Sequence, residues 1–236
     1  GSNIWGQSDN FRYVHQDNLT GDATLIAKIT GLSGVGFSPN SNTKIGVMIR
    51  QSTDANSAHQ GIFIDGTKRI KSIYRDAANG WAGKNFDGTT VETLPVWLKV
   101  EKIGNTVKTY SSTDGILWTE RSTRTLSFTG RFTVGLAVSA GTDSKFVEAA
   151  LSNVTLQSFN SADIGTTYTG TTSQSGAAVT VKGSGTNIWG QSDNFRYVYR
   201  DNLTGDATIV AKIAGMTMIG ASANSNTKIG VMIRQS

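Results

Sequence analysis

Few residues of this chain have the types that catalysis needs, and they are scattered along it. The 236 residues include 17 acidic residues, two histidines and no cysteine. General acid–base catalysis needs carboxylates that converge on one pocket, whereas the acidic residues here fall mostly in turn-like segments. The sequence contains no nucleophile elbow, phosphate-binding loop or zinc-protease helix motif. We therefore predict that the protein is not an enzyme and has no catalytic residues.

The aromatic residues offer a second kind of chemistry, the binding of carbohydrate on an exposed ring. Trp81 lies in the polar segment 76–87, where no apolar neighbours predict a core position, and Tyr74 and Arg75 precede it. We predict Tyr74, Arg75 and Trp81 as ligand-binding residues. The alternative for Trp81 is a ring that folds back onto the domain.

Other aromatic and polar residues have sequence contexts that favour structural roles. Arg50 ends the apolar run 45–50, so we predict that it pairs with a buried carboxylate such as Asp9 or Asp22. His59 precedes another strand-like run, and we predict a surface or hydrogen-bonding role for it. Three tryptophans stand beside aliphatic residues, and we predict that they are core residues: Trp5, Trp97 and Trp118.

Charge and hydropathy argue against two classes of partner. The net charge is +5, from 22 basic and 17 acidic residues, and no run of five like charges occurs. Such a dilute excess does not indicate nucleic-acid binding, and we predict none. No apolar run approaches the roughly 18–20 residues that cross a bilayer, so we also predict no membrane span.

The remaining pattern is that of an all-β protein. Only 17% of the residues are charged, and no amphipathic helix of ten or more residues is visible. Short alternating or apolar runs are separated by turn pairs such as Asp65-Gly66 and Asn79-Gly80. This spacing predicts an antiparallel sandwich or jelly roll. The predicted strands cover residues 23–30, 44–51, 60–65, 69–75, 96–103, 106–111, 115–120, 132–139 and 146–157.

The strongest pattern is an internal repeat. Residues 3–52 align without gaps on residues 187–236, at an offset of 184, and 39 of the 50 positions are identical. Most differences exchange one apolar residue for another or fall in the loop 30–39. His15 becomes Tyr199, so this position does not require an imidazole. A period of 184 residues has the size of a domain, and we predict domains repeated in tandem with this period.

Segments spread over the whole period resemble those of a known family. They are DIG at 163–165, GSGTNIWGQSDNFRYVY at 183–199, NLTGDATIVAKI at 202–213, KIGVMIRQS at 228–236, SAHQGIFID at 57–65, PVWLKVEKIGNTVKTYSSTDGILWTE at 95–120, FTVGLAVSA at 132–140 and ALSNVTL at 150–156. The chain is similar to bacterial concanavalin A-like jelly-roll domains of the laminin-G-like and DUF1349 types. The resemblance implies an antiparallel concanavalin A-like jelly-roll β-sandwich, a fold that occurs in tandem in large secreted and surface proteins and beside glycoside hydrolases.

The resemblance also places the domain boundaries. It implies a jelly-roll domain at 1–159 that lacks its own opening strands, and the first part of the next repeat at 187–236. Residues 160–186 are then a strand-forming connection, which either opens the next repeat or completes the previous one. We predict an edge strand pair there, around Thr167–Tyr168 and Val179–Val181, and the alternative is a flexible linker rich in Ser, Thr and Gly. We expect neighbouring copies to supply what an incomplete domain lacks.

Folds of this class often hold calcium through Asp, Asn and backbone oxygens. The candidate oxygen clusters here are Asp9 with Asn10, Asp54 with Asn56, and the loop 40–42, none of which has EF-hand spacing. In turns, Asp and Asn usually make local hydrogen bonds. We predict no metal site and no cofactor, with a structural calcium ion as the alternative.

Two functions follow as expectations. The first is a structural or adhesive tandem-repeat module of an extracellular filament or giant surface protein, whose partners are neighbouring copies of the same repeat. The alternative is a carbohydrate-binding module of a secreted glycoside hydrolase or adhesin, whose partners are glycans. Both predict a protein that lies outside the cell or on its surface.

Overall fold

The described part of the chain consists of β-strands and their connections. The computed structural model describes residues 1–175, 178–199, 208–220, 223–224 and 226–235. Within these ranges there are fifteen strands and no helix, which confirms the all-β prediction. No helix of the described residues has the length and apolarity that crossing a bilayer requires. The chain divides into two compact units, unit 1 at Gly1–Ser158 and unit 2 at Phe159–Ser236.

Eleven strands begin in unit 1. They are β1 (Arg12–Leu19), β2 (Asp22–Val35), β3 (Lys44–Arg50), β4 (His59–Asp65), β5 (Ile70–Arg75), β6 (Gly83–Asp87), β7 (Val96–Ile103), β8 (Thr106–Ser112), β9 (Thr119–Thr125), β10 (Phe132–Ser139) and β11 (Phe146–Ile164).

The strands of unit 1 form two sheets that pack face to face. The front sheet has the order β1-β10-β3-β4-β5-β6, and its neighbouring strands are antiparallel. The back sheet of unit 1 has the order β11-β2-β7-β8-β9, and β2, β7, β8 and β9 are antiparallel to one another. This arrangement confirms the antiparallel β-sandwich and is consistent with a jelly roll.

Strand alternation decides which side chains form the core. In β3, Ile45, Val47 and Ile49 are buried between the sheets, whereas Met48 belongs to a second apolar cluster on the outer face of the front sheet. Burial of one such side chain contributes roughly 1.5–3 kcal/mol. The outer cluster also contains Ile4, Phe63, Ile73, Ala82 and Ala137.

Two of the tryptophans predicted to be core residues lie on the outer face of the back sheet. Val96, Leu98 and Val100 of β7 face the core, so Trp97 and Lys99 face outward. The Nζ atom of Lys99 lies 3.9 Å from the ring centroid of Tyr110 and 4.8 Å from that of Trp118, an arrangement that cation–π attraction favours. The core prediction is wrong for Trp97, because the register gives the interior to Val96 and Leu98, and for Trp118, because it lies before β9 in a connection that faces solvent.

Two other details of the fold differ from the sequence predictions. Strand β9 begins at Thr119 rather than at Gly115, because Asp114 Oδ1 accepts hydrogen bonds from the backbone N–H groups of Ile116 and Leu117 and holds a turn there. Strands β1 and β6 were not predicted. Their sequences, RYVHQDNL and GKNFD, are too polar to give an apolar alternation.

Unit 2 contains the end of β11 and four further strands, β12 (Thr171–Ser175), β13 (Ala178–Lys182), β14 (Asn187–Trp189) and β15 (Ser192–Tyr199). The last residues of β11 pair with β15, and β15 pairs with β14. Strands β12 and β13 form a separate antiparallel pair. Val179 and Val181 therefore lie in a strand as predicted, whereas Thr167 and Tyr168 lie in a bend. Residues 202–207, within one segment of the family resemblance, lie outside the described residues.

Candidate binding site

A buried cluster of four ionisable residues lies on the outer face of the front sheet. Arg50 ends β3, His59 begins β4 and Arg75 ends β5, and the antiparallel register places His59 opposite both arginines. Asp9 comes from the segment that precedes β1. All four residues are buried. We call them the Asp9 cluster.

Asp9 is held by both arginines. Arg50 Nη1 donates to Asp9 Oδ2 at 2.6 Å, which confirms the predicted pair. Arg75 donates from Nη2 to Oδ1 at 2.7 Å and from Nη1 to Oδ2 at 2.8 Å. Burial by itself raises the pKa of Asp9, but its neighbours, first the hydrogen bond from Arg75, bring that pKa below its usual value. Asp9 is therefore the counter-charge on which both guanidinium groups depend.

Arg75 also ties several backbone segments together. It is fully buried, and its remaining donors bind backbone carbonyl oxygens of Gly6, Ala55, Ser57 and Gly80. The Arg75 side chain, which was predicted to bind a ligand, therefore points into the protein, and its donor groups are bonded to other residues of the chain.

His59 is the remaining member of the Asp9 cluster. It is fully buried, and neither ring nitrogen makes a hydrogen bond within the described residues. Its Nε2 atom lies 3.6 Å from Asp9 Oδ2. Burial lowers the pKa of His59 to about 3, although the charge of Asp9 opposes the change. The prediction of a surface or hydrogen-bonding histidine is wrong, because register places it beneath the N-terminal segment.

The Asp9 cluster fixes residues 1–11 across the outer face of the front sheet. The carbonyl oxygen of Gly6 accepts a hydrogen bond from Arg75 Nη2 at 3.0 Å and another from the Ala82 N–H at 2.8 Å. The Asp9 N–H donates to Ala55 O at 2.8 Å, and Ile4 is fully buried. Polar anchors and one apolar side chain therefore hold this segment in place.

The three residues predicted to bind a ligand lie in different environments. Trp81 is 71% exposed, and its ring lies against Gly6. Tyr74 is half-buried and faces away from Arg75, because neighbours in a strand alternate. Arg124 stacks on Tyr74, with its Cζ atom 3.4 Å from the ring centroid. Trp81 thus presents an open ring, whereas Tyr74 and Arg75 are engaged by other residues of the chain, and the ligand contacts predicted for all three residues stay predictions.

Three aromatic rings line one face of the chain at β1. Tyr13 and His15 are stacked, with ring centroids 4.7 Å apart and an interplanar angle of 9°. Phe11 lies against Tyr13 at 5.6 Å, and the guanidinium of Arg50 lies 5.3 Å from the Phe11 centroid. Tyr13 Oη donates to Met48 O at 3.2 Å, and burial raises the pKa of the Tyr13 phenol, so it stays protonated. We call the three rings the β1 ladder.

A shallow open depression of about 270 Å³ lies beside the β1 ladder. The amide of Asn10 and the hydroxyl of Thr53 make no side-chain hydrogen bond within the part of the chain that the structure describes. The depression therefore combines three rings with polar groups that are open to solvent. Its lining residues are Asp9, Asn10, Phe11, Tyr13, His15, Thr53 and Ala55.

The sequence predictions missed the β1 ladder. Its signal is an aromatic residue at every second position, Phe11, Tyr13 and His15, which places three rings on one strand face. The same spacing recurs at Phe195, Tyr197 and Tyr199.

Three of the candidate calcium ligands, Asp9, Asn40 and Asp54, are bound to other protein groups. Both carboxylate oxygens of Asp9 accept from arginines, Asn40 Oδ1 accepts from the Asn42 N–H at 2.8 Å, and Asp54 Oδ2 accepts from Ser52 Oγ at 2.9 Å. The described residues contain no group of three or more His, Asp or Glu side chains placed to hold a metal. The expectation of no cofactor stays a prediction.

The fold and the site define an all-β sandwich with a small surface depression and no visible pair of catalytic carboxylates among the lining residues. No family model matches the sequence, and no curated protein matches it. Membership of the concanavalin A-like family therefore stays a prediction.

Solved structures give similarities of fold. A functionally unknown protein from Saccharomyces cerevisiae is 16% identical, over 65% of this chain and 84% of that one, with a TM-score of 0.47. The carbohydrate-binding module CBM66 from Bacillus subtilis is 18% identical, and the match covers 67% of this chain and 98% of that one, with a TM-score of 0.41. A xylan β-1,4-xylosidase from Bacillus halodurans is 18% identical, over 61% of this chain but 29% of its own, with a TM-score of 0.44. Similarities this low carry no argument about function.

Proposed function

We propose that the protein is a structural or adhesive module of an extracellular filament or giant surface protein, built from tandem repeats with a period of 184 residues. The observation that supports the proposal is that residues 187–235 repeat side-chain contacts made by residues 3–51. Neighbouring copies of the repeat are then the main partners.

The repeated contacts include the ion pair of the Asp9 cluster. Arg50 Nη1 lies 2.6 Å from Asp9 Oδ2, and Arg234 Nη1 lies 3.1 Å from Asp193 Oδ2. Two hydrogen bonds recur at the same offset: Lys44–Asn3 at 2.5 Å as Lys228–Asn187 at 2.5 Å, and Tyr13–Met48 at 3.2 Å as Tyr197–Met232 at 3.5 Å.

Burial is what differs between the two copies. The β3 residues Ile45, Val47 and Ile49 are at most 1% exposed, whereas their equivalents Ile229, Val231 and Ile233 are 54%, 53% and 79% exposed. In unit 1 these side chains pack against β2 and against strands between residues 53 and 158, and only the latter have no counterpart in 187–236. The proposal therefore requires that a copy of residues 53–158 can complete the second domain.

An extended chain, with a copy of residues 53–158 after Ser236, tests this requirement. We expect two cooperative domains of similar thermal stability in calorimetry and two domain-sized particles in negative-stain electron microscopy. A chain extended by the same residues in scrambled order is the control. Appended residues that stay unfolded and sensitive to protease would contradict the proposal.

The second candidate function is carbohydrate binding, and the observation that favours it is the exposed ring of Trp81. The backbone next to the ring is tied to the N-terminal segment, because the Ala82 N–H donates to Gly6 O at 2.8 Å. Aromatic residues of this kind dominate binding energies at recognition surfaces.

A glycan array with the full chain and its Trp81→Ala variant tests this candidate. We expect glycan binding that falls at least tenfold in the variant, a typical loss at an aromatic hot spot. Ile116→Ala, which removes another exposed apolar side chain, is the control. An array with no bound glycan would speak against the candidate.

A further inference from the structure

We propose that the side chains of Lys44 and Asn3 form a covalent isopeptide bond, which ties the N-terminal segment to β3. The Nζ atom of Lys44 attacks Cγ of Asn3, the bond from Cγ to Nδ2 breaks, and one ammonia molecule leaves. Each chain reacts once, so the modification is not enzymatic turnover. It depends neither on the tandem array nor on carbohydrate binding.

The two reacting side chains are in direct contact. Lys44 Nζ donates a hydrogen bond to Asn3 Oδ1 at 2.5 Å. Because a carbonyl bond is about 1.2 Å long, the Cγ atom lies no more than about 3.7 Å from Nζ. Atoms that react with each other need a separation of about 3–3.5 Å. A small movement of either side chain therefore brings the nucleophile to its target.

Lys44 has the environment of a nucleophilic lysine. It begins β3 and is 4% exposed, although lysine is rarely buried without a paired charge. Its Nζ atom donates to two neutral acceptors, Asn3 Oδ1 and Asn42 O, and forms no ion pair within the described residues. Burial, followed by the charge of Lys71, lowers the pKa of Lys44 to about 8, although Asp65 opposes the change. A neutral amine is therefore accessible, as nucleophilic attack requires.

The side-chain carbonyl of Asn3 has a second donor in place. The Ile4 N–H donates to Asn3 Oδ1 at 2.9 Å. Two N–H donors on the same atom are consistent with the oxygen of the amide and not with its nitrogen. Negative charge develops on this oxygen when Nζ adds to Cγ, and a fixed N–H group stabilises such an oxyanion.

Asp65 is placed to transfer the proton that the reaction displaces. It is the register partner of Lys44 in β4, so both side chains lie on the same face of the front sheet. Asp65 is fully buried, and its Oδ1 atom accepts from the backbone N–H groups of Thr67 and Arg69. Its Oδ2 atom lies 3.3 Å from Lys71 Nζ and makes no hydrogen bond within the described residues. Oδ2 takes a proton from Nζ and returns it to Nδ2, which leaves as ammonia.

The second copy of the repeat lacks part of this arrangement and serves as an internal control. Lys228 Nζ donates to Asn187 Oδ1 at 2.5 Å, and the Ile188 N–H donates to the same oxygen at 2.9 Å. Lys228 is exposed, however, and residues 187–236 contain no equivalent of Asp65. We therefore expect the bond in the first copy only.

Mass spectrometry of the purified full chain tests the proposal. We expect an intact mass below the sequence mass by one ammonia, and a tryptic product in which residues 1–12 are joined to residues 29–50. The joined product separates this bond from the cyclisation of an asparagine on its own backbone, which also releases ammonia. Asn3→Ala and Lys44→Met should each show the full mass of their own sequence. Lys228→Met, the matched variant of the second copy, should keep the loss of one ammonia.

The proton-transfer role has a test of its own. Asp65→Asn should slow the accumulation of the joined product by at least about a hundredfold. Asp87→Asn removes the other carboxylate beside Lys71 and should leave the rate unchanged. Circular dichroism checks that each variant is folded, and Asn3→Ala decides whether the bond exists even if Asp65→Asn does not fold.

Three results would count against the inference. A folded parent chain with its full sequence mass overturns the proposal. Equal amounts of joined product at Lys44 and Lys228 overturn the roles of burial and of Asp65. An unchanged rate in folded Asp65→Asn overturns the proton transfer alone.

Discussion

Replacement of Asp9 by asparagine is expected to lower the free energy of unfolding of unit 1 by about 3–5 kcal/mol. The substitution keeps the size of the side chain but removes the counter-charge of Arg50 and Arg75. Both guanidinium groups are at most 1% exposed and cannot regain hydration without opening the N-terminal segment. Urea unfolding of the full chain, followed by tryptophan fluorescence, measures the loss.

Two comparisons isolate the ion pairs as the cause. Asp17→Asn neutralises an exposed carboxylate of β1 and should change the free energy of unfolding by less than about 0.5 kcal/mol. In a chain that already carries Arg75→Met, Asp9→Asn should cost less than in the parent chain, because one buried charge is gone. If Asp9→Asn stays within about 1 kcal/mol of the parent, the Asp9 cluster does not hold the fold together.

The second large effect is a loss of stability on mild acidification, caused by His59. The usual pKa of histidine is 6.5, and burial lowers that of His59 to about 3. Between these values the unfolded chain binds a proton that the folded chain does not. This contribution to stability is therefore complete well above pH 6.5 and is lost as the pH falls below it, with a limiting slope of about 1.4 kcal/mol per pH unit, down to the folded pKa.

Carboxylates contribute to acid unfolding only at lower pH. Their unfolded pKa values are 3.8 to 4.5, so the change in stability between pH 6.5 and 4.5 comes from His59. The carboxylates whose folded pKa is lowered are Asp9, Asp87, Asp114 and Glu120.

Urea unfolding at a series of pH values, with the parent chain and His59→Gln, measures this effect. The parent should lose about 2 kcal/mol between pH 6.5 and 4.5, and His59→Gln should remove most of that dependence. His15→Gln, which replaces the exposed histidine, should keep it. A parent chain with equal stability at the two pH values would show that His59 can be protonated in the folded protein without loss of stability.

Part of this structure was predictable from local pattern. Alternating apolar runs placed most strands of the sandwich, and an arginine inside the apolar run of β3 required a buried carboxylate, which Asp9 supplies. These inferences rest on the alternation and polarity of residues within a single strand. They need no knowledge of which strands become neighbours.

The rest of the site depends on long-range register. Arg75 joins Asp9 only because β3, β4 and β5 are neighbours, across 66 residues of chain. His59 is buried because the N-terminal segment crosses above it, and Trp97 faces outward because Leu98 faces the core. A single sequence does not state these pairings, so pattern alone could not place the three residues in the fold.

The way in which residues 1–11 are fixed has a mechanical consequence if the protein works in a filament, as proposed above. Tension applied at Gly1 reaches the Asp9 cluster before it reaches the β1–β10 hydrogen bonds, because Asp9 precedes β1 in the chain. Arg50 and Arg75 pass that load to β3 and β5 inside the sheet. The edge strand is thereby shielded from peeling, one hydrogen bond at a time. In a row of such domains without the Asn3–Lys44 bond, each Asp9 cluster would set the force at which its domain unfolds.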